Sequence, residues 1–322
     1  MFILGLQGSP RKTGNTNYLL ETFLTAARER GAQTERVHVA QKDIRPCTGC
    51  GNCEKNGFCA IRDDDMTKEL YGKLRRADAV VLATPIYFYN ATAQLKTVID
   101  RSQTLWARKY KLGLTDPGRP DRKGVLLAVG ATRGKNLFEG MNLTAKYFFD
   151  AVGADFSTSL TYRHIEDIGD MQKNEIMAGD VNKAVAGLGP LLERKKILFV
   201  CRDNAARSQM AAVFTQYLAG AKIDAVSAGT APAVRIDPVM EQIMAESGLD
   251  VAFRAPRLLD DVVSETIPDM VITMGCGDDC PEIPGAKTED WDLSDADGGP
   301  EKNMRYMRDE IEDRVKRLIG KI

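Results

Sequence analysis

Short apolar runs alternate with longer amphipathic stretches along the chain, and the alternation restarts once. Residues 2–7, 79–83 and 124–129 are near-continuous apolar runs of strand length, the pattern of strands covered on both faces. Between and after them, residues 15–30, 91–108 and 136–153 carry helical periodicity. That order is the βαβ signature of a parallel doubly wound sheet. Near residue 190 a helical stretch ending at Leu192 passes through Glu193-Arg194-Lys195-Lys196 into a fresh apolar run, Ile197 to Val200. The restart predicts strands near 196–200, 223–227 and 270–274 and helices near 208–219 and 237–247. A closing helix from about Glu301 is expected to bury Met304, Met307, Ile311, Val315 and Leu318, which recur at steps of three and four. The expected fold class is therefore α/β, with two doubly wound parallel-sheet domains over residues 1–193 and 194–322.

Composition agrees with two cored domains: 322 residues, 43% of them hydrophobic. With 44 basic against 45 acidic residues the net charge is -1, which supplies no field for nucleic acid or anionic lipid. The opening Met-Phe-Ile-Leu-Gly-Leu-Gln runs into a polar loop by residue 8, without the flanks of a leader or a membrane-length apolar span. A cytoplasmic protein with small-molecule or protein partners is expected, binding neither nucleic acid nor membrane. The two histidines, His38 and His164, have no cysteine or carboxylate spaced to work with them and are read as structural or surface residues.

Chemistry concentrates in loops that follow the apolar runs. Gly8-Ser9-Pro10-Arg11-Lys12-Thr13-Gly14-Asn15-Thr16 leads from a strand into a helix and is rich in hydroxyls and glycine, a composition that wraps a phosphate. It has neither the Gly-Lys-Ser/Thr ending of a triphosphatase loop nor the dinucleotide Gly-x-Gly-x-x-Gly, so a monophosphate fits best. Thr84-Pro85-Ile86-Tyr87-Phe88 and Gly130-Ala131-Thr132-Arg133 follow the next two strands, at the carboxyl ends where such sheets bind ligands.

The seven cysteines fall into two groups. Cys47-x2-Cys50-x2-Cys53-x5-Cys59 has the close spacing that permits a [4Fe-4S] cluster without requiring one. Structural zinc sites usually join two Cys-x2-Cys knuckles across a dozen or more residues. In the other group, Cys201-Arg202-Asp203-Asn204-Ala205-Ala206-Arg207-Ser208 again joins a strand to a helix. Loop N–H groups at Asn204, Ala205, Ala206 and Ser208, the helix N-terminus and the Arg207 guanidinium would hold a tetrahedral oxyanion beside a Cys201 thiolate. Cys276 and Cys280 form a close dithiol further on.

Two resemblances follow from these motifs. Residues 1–193 resemble the flavodoxin-like NAD(P)H-dependent FMN reductases, and within them the iron-sulfur flavoproteins, in Gly8-Ser9-Pro10-Arg11, Gly14-Asn15-Thr16, Thr84-Pro85-Ile86-Tyr87 and the cysteine run followed by Asp63-Asp64-Asp65-Met66. The resemblance implies FMN held at its phosphate by Ser9, Arg11, Gly14, Asn15 and Thr16. It also implies that Pro85, Ile86, Tyr87, Phe88, Gly130 and Thr132 flank the ring, with NAD(P)H as electron donor, a cluster on Cys47, Cys50, Cys53 and Cys59, and a homo-oligomer, dimer or tetramer.

Residues 195–322 resemble the low-molecular-weight phosphotyrosine phosphatase fold, and more closely its thioredoxin-coupled arsenate reductases, in Cys201-x5-Arg207-Ser208-Gln209-Met210-Ala211, Ser227-Ala228-Gly229-Thr230, Met274-Gly275-Cys276 with Cys280-Pro281, and Glu289-Asp290-Trp291. That resemblance implies catalysis by Cys201 and Arg207, a relay through Cys276 and Cys280, and Asp295 as general acid. The family's acidic loop usually reads Asp-Pro where this chain has Asp295-Ala296, so Asp297 stands as a rival. The implied activity is reduction of arsenate to arsenite, with reducing equivalents from NAD(P)H through FMN of the first domain, or from thioredoxin or another disulfide reductant. A phosphomonoester phosphatase and an electron-transfer or redox-sensing flavoprotein are the alternatives.

Overall fold

The computed structural model describes residues 1–118, 121–265, 267–275, 283–293 and 299–322. The chain divides into two compact units, Met1–Gly113 with Asp121–Leu192, and Leu114–Pro120 with Glu193–Ile322. The main division lies between Leu192 and Glu193. No sequence signal marked the excursion at 114–120, a short polar loop of the first half that belongs to the second unit.

The first unit holds five parallel strands, β1 (Phe2–Gln7), β2 (Gln33–His38), β3 (Ala79–Pro85), β4 (Lys123–Gly130) and β5 (Asp155–Arg163), in the order β2-β1-β3-β4-β5. Apolar runs mark the central three. The edge strands escaped notice because they are half-buried and polar, reading Gln-Thr-Glu-Arg-Val-His and Asp-Phe-Ser-Thr-Ser-Leu-Thr-Tyr-Arg. Helix Asn15–Arg28 lays Leu19, Leu20, Phe23 and Leu24 on Ile3, Val81, Val125 and Leu127, beside Val181 and Val185 of helix Met177–Ala186. The helix expected over 91–108 is two helices, Ala93–Arg101 and Gln103–Tyr110, meeting at Ser102. There the Ser102 hydroxyl donates to the Val98 carbonyl at 2.9 Å, a back-bond of the kind that bends helices.

The second unit is a four-stranded parallel sheet of β6 (Lys195–Cys201), β7 (Ile223–Gly229), β8 (Met270–Thr273) and β9 (Lys287–Asp290), ordered β7-β6-β8-β9. Its core joins Phe199, Met210, Phe214, Met240, Ile272 and Trp291, with Ile311, Val315 and Leu318 from the closing helix Pro300–Ile319. Met304 and Met307 pack on this cluster partly buried, completing the expected stripe. Residues 114–120 add a short parallel pairing, in which Thr115 N–H donates to the Gly248 carbonyl at 2.7 Å and Asp250 N–H to the Thr115 carbonyl at 2.8 Å. No described helix is long and apolar enough to cross a membrane.

Strand order decides where ligands can sit. In the first sheet β1 lies between β2 and β3, and in the second β6 lies between β7 and β8, so successive crossovers leave each central strand on opposite sides. A crevice opens at the carboxyl end of such a strand. Gly8 follows β1 and Cys201 ends β6, which puts one candidate loop at each switch point.

Candidate functional site

Cys201 is buried at the end of β6, with its sulfur 3.0 Å from the Ser208 hydroxyl. From Cys201 to Ala206 every carbonyl of the loop is occupied. Those of Cys201, Arg202, Asp203 and Ala205 accept from the backbone N–H groups of Thr230, Ala231, Ala233 and Asp237. That of Asn204 accepts from the Gln209 amide, and that of Ala206 from Met210 N–H. Among the described residues, no backbone N–H from Arg202 to Gln209 donates to a protein group. The helix Arg207–Ala219 starts here without a side-chain cap. The carbonyls are used and the amides are unused, which is the electrostatics of an anion cradle.

Asn204 sets that shape. It is fully buried at φ 48°. Its Nδ2 donates to Ser208 Oγ at 2.8 Å, while its Oδ1 accepts from Arg257 N–H at 2.8 Å and from Gln209 Nε2 at 3.2 Å. Arg207, the expected clamp, donates from Nη1 to the Met274 carbonyl at 3.2 Å, directly before Gly275 at φ 73°. A β-carbon on Gly275 would come within 2.5 Å of that nitrogen. Gly229 makes the closest approach to the loop, since a β-carbon there would lie 2.6 Å from the Arg202 carbonyl oxygen and 3.0 Å from the Asn204 nitrogen. In the sequence Gly229 and Gly275 stand out only as members of longer motifs. Their steric roles depend on residues 27 and 68 positions away and leave no local trace. Cys276, Cys280, Asp295 and Asp297 lie outside the described residues.

The loop after β1 repeats the arrangement. Gly8 N–H is spent on the Ala83 carbonyl at 2.7 Å and Arg11 N–H on Ser9 Oγ at 3.2 Å. Neither the N–H of Ser9 nor those from Lys12 to Asn17 donate to a described group. Helix Asn15–Arg28 has no side-chain cap, and the hydroxyl residues Ser9 and Thr16 are buried beside its start while Arg11 is exposed. Thr92 caps helix Ala93–Arg101 through Leu95 N–H and donates its hydroxyl to the Gly8 carbonyl, tying the loop to the segment after β3. The Asn15 side chain is engaged within the protein. Its Nδ2 donates to the Asp167 carbonyl at 2.8 Å and its Oδ1 accepts from Gly169 and Met171 N–H groups, so the side chain anchors residues 167–171.

Beneath the loop Gln7 is fully buried, donating to the Arg11 carbonyl at 3.2 Å while its Oε1 has no partner among the described residues. Ile86 N–H donates to the Val129 carbonyl at 2.9 Å, which holds Pro85 and Ile86 beside Gly130. Thr132 is exposed on the loop that follows Gly130. Free amides, buried hydroxyls and an orphaned acceptor fit a phosphate monoester carrying a hydroxylated chain, as FMN does.

The cysteine run is clasped at its base. The Arg101 guanidinium, 1% exposed, pairs with Asp64 and donates to the carbonyls of Arg45 at 2.7 Å and Ile61 at 3.4 Å, two residues outside Cys47 and Cys59. Asp64 also accepts from Thr67 N–H at 3.2 Å, at the start of the following helical turns. Within the run, Cys47 and Cys50 are exposed and Cys53 and Cys59 half-buried. Asn52 N–H and the Thr48 hydroxyl hold Cys50 below the usual thiol range, whereas burial pushes Cys53 up, helped by the neighbouring Cys47 and Cys59. Among the described residues no three His, Cys, Asp or Glu side chains are grouped to hold a metal ion. As placed, the four sulfurs do not fit a metal or cluster.

Two family models match, one in each half of the chain. Residues 1–134 match the family model of NADPH-dependent FMN reductase, and residues 196–322 that of low molecular weight phosphotyrosine protein phosphatase. An iron-sulfur flavoprotein of Methanosarcina thermophila is 39% identical over 133 residues, 41% of this chain and 65% of that protein, so less than two thirds of the relative's length is spanned. A glutaredoxin arsenate reductase of Synechocystis is 32% identical over 130 residues, 40% of this chain and 98% of that protein. Among solved structures, a thioredoxin-dependent arsenate reductase of Corynebacterium glutamicum is 30% identical, covering 46% of this chain and 76% of its own, with a TM-score of 0.36.

Proposed function

Because the chain belongs through residues 196–322 to the low molecular weight phosphotyrosine protein phosphatase family, and carries an NADPH-dependent FMN reductase domain in residues 1–134, we propose that it reduces arsenate to arsenite with electrons drawn through its own flavin domain. The observation that carries this reading is the loop Cys201–Gln209, whose carbonyls are occupied from Cys201 to Ala206 while its amides stand free around a buried thiol. Such a cradle favours a tetrahedral oxyanion over the sulfur.

In the proposed sequence the Cys201 sulfur attacks arsenic, the free amides and Arg207 hold the oxyanion, and Asp295 or Asp297 protonates the departing oxygen, which leaves as water. Cys276 then attacks the Cys201 sulfur. The S–As bond breaks with its electron pair going to arsenic, and arsenite departs. Cys280 attacks Cys276 in turn, which frees Cys201 and leaves a Cys276–Cys280 disulfide. Bound at Ser9, Arg11, Thr16 and the amides of residues 12–17, FMN would supply the two electrons that reopen this disulfide, taking them from NAD(P)H. Carrying both units on one chain sets their effective concentration at about millimolar and removes the need for a diffusing thioredoxin.

The test is turnover of arsenate by the FMN-loaded protein with NAD(P)H and no added thioredoxin, expected to proceed through many cycles. Turnover only with thioredoxin would refute the internal electron supply and leave the reductase. A phosphatase is the second reading, favoured by the match of residues 196–322. Replacing Cys276 and Cys280 by serine separates the two, since a phosphatase would keep hydrolysing phosphomonoesters and a reductase would stop within one turnover.

A further inference from the structure

The segment after β3 closes in a two-residue turn. Tyr87 N–H donates to the Asn90 carbonyl at 2.9 Å and Asn90 N–H to the Tyr87 carbonyl at 3.0 Å. Both central residues lie in the left-handed region, Phe88 at φ 47° and Tyr89 at φ 63°. Glycine or asparagine adopts that geometry readily, whereas two aromatic residues in succession strain it.

Burial does not repay the strain. Phe88 is fully exposed, and Tyr87 and Tyr89 keep 46% and 50% of their surface in solvent. Nor is the turn loose. Asn90 Nδ2 donates to Thr144 Oγ1 at 3.1 Å, and the Tyr89 carbonyl oxygen lies where a β-carbon on Gly140 would come within 2.6 Å. The Tyr89 hydroxyl sits equally close to Gly134, on the loop that follows β4. A rigid, strained, solvent-facing aromatic pair therefore stands at the ligand-binding edge of the sheet, between the loops assigned to the flavin. Such strain persists where function holds it.

We infer that Phe88 is a stacking platform for a planar ring of the dinucleotide electron donor, and not a wall of the flavin pocket. This rests on the flavin reading of the first unit. Phe88 packs on no other part of the chain and leaves its ring open to solvent. It offers one aromatic face to a second ring arriving from solvent, and stacking on such a face tolerates either end of a dinucleotide.

The experiment uses the full-length protein loaded with FMN, compares Phe88→Ala, Phe88→Gly and Phe88→Tyr with the parent, and follows NADPH oxidation, FMN affinity and the thermal midpoint. Phe88→Ala and Phe88→Gly are expected to raise KM for NADPH about tenfold, with kcat and FMN affinity within about twofold of the parent. Phe88→Tyr should restore KM. Phe88→Gly should also raise the melting temperature, because glycine relieves the left-handed strain. Repeating the assay with reduced nicotinamide mononucleotide identifies the ring, since an unchanged KM for that donor assigns the platform to adenine. KM within twofold of the parent in both truncations overturns the inference, as does a loss confined to FMN affinity, which would return Phe88 to the flavin wall. If the parent protein fails to oxidise NADPH, the flavin reading falls and the platform loses its occupant with it; a working parent with unaffected variants overturns the platform alone.

Discussion

Replacing Asn204 tests whether the oxyanion loop is held by its own strained residue. In Asn204→Gly the backbone keeps its left-handed conformation, but three side-chain bonds vanish, those with Ser208 Oγ, Arg257 N–H and Gln209 Nε2. Gln209 retains the Asn204 and Ala255 carbonyls, and Ser208 retains the Cys201 sulfur. Arg257 N–H is the donor left orphaned, at about 1–3 kcal/mol, and the lost Ser208 bond adds about 1 kcal/mol, giving about 2–4 kcal/mol in all. Asn204→Ala loses the same bonds and must also place a β-carbon at φ 48°, a further cost of about 1–2 kcal/mol. Alanine should therefore be the worse substitution, the reverse of its rank in ordinary helices and strands. The assay is urea unfolding followed by Trp291 fluorescence in a Trp106→Phe background, because Trp291 packs on Phe199 in the core of the second unit, 5.8 Å between centroids. Equal stability of the two variants would refute the strain argument. Losses below about 0.5 kcal/mol in both would refute the whole role given to Asn204.

Gly229→Ala should push the Arg202 and Asn204 backbone out of place, costing about 1–3 kcal/mol and lowering arsenate turnover about a hundredfold while FMN binding stays unchanged. Turnover within threefold of the parent would show that the loop tolerates the shift. Asp64 predicts an acid limit. Burial alone would raise its carboxyl, but the bonds from Arg101, Thr67 N–H and Arg45 N–H outweigh it and hold the group below the usual carboxylate range. The pair's contribution is therefore complete above about pH 4, the ordinary carboxylate value, and lost as pH falls through the depressed folded value. Asp64→Asn leaves Arg101 buried without its counter-charge and should cost about 3–5 kcal/mol at pH 7. Thermal midpoints of parent and variant from pH 7 to pH 3 should converge, and parallel curves would count against the pair.

Legibility in the sequence followed burial. Central strands covered on both faces, such as β1 and β4, announce themselves as apolar runs, while the edge strands β2 and β5 hide in polar alternation. Loops whose chemistry is local, such as Cys201 to Ser208, were readable because their working atoms are backbone amides at fixed spacing. What could not be read joins distant positions. The Asn15 side chain anchors residue 167, 152 positions away. Arg101, in an unremarkable helix, holds both ends of the cysteine run. The left-handed pair Phe88-Tyr89 also gave no warning, because it breaks the rule by which turns are recognised.

The excursion of residues 114–120 bears on how such a protein can be dissected or assembled. Because that stretch belongs to the second unit although it is encoded within the first, the chain crosses from one unit to the other three times. A cut between Leu192 and Glu193 therefore does not release two whole modules. The trailing piece would lose the partner of Gly248 and Asp250, and the leading piece would carry a loop made for something else. Any exchange of one unit for a homologue must therefore keep residues 114–120 matched to the second unit they pair with.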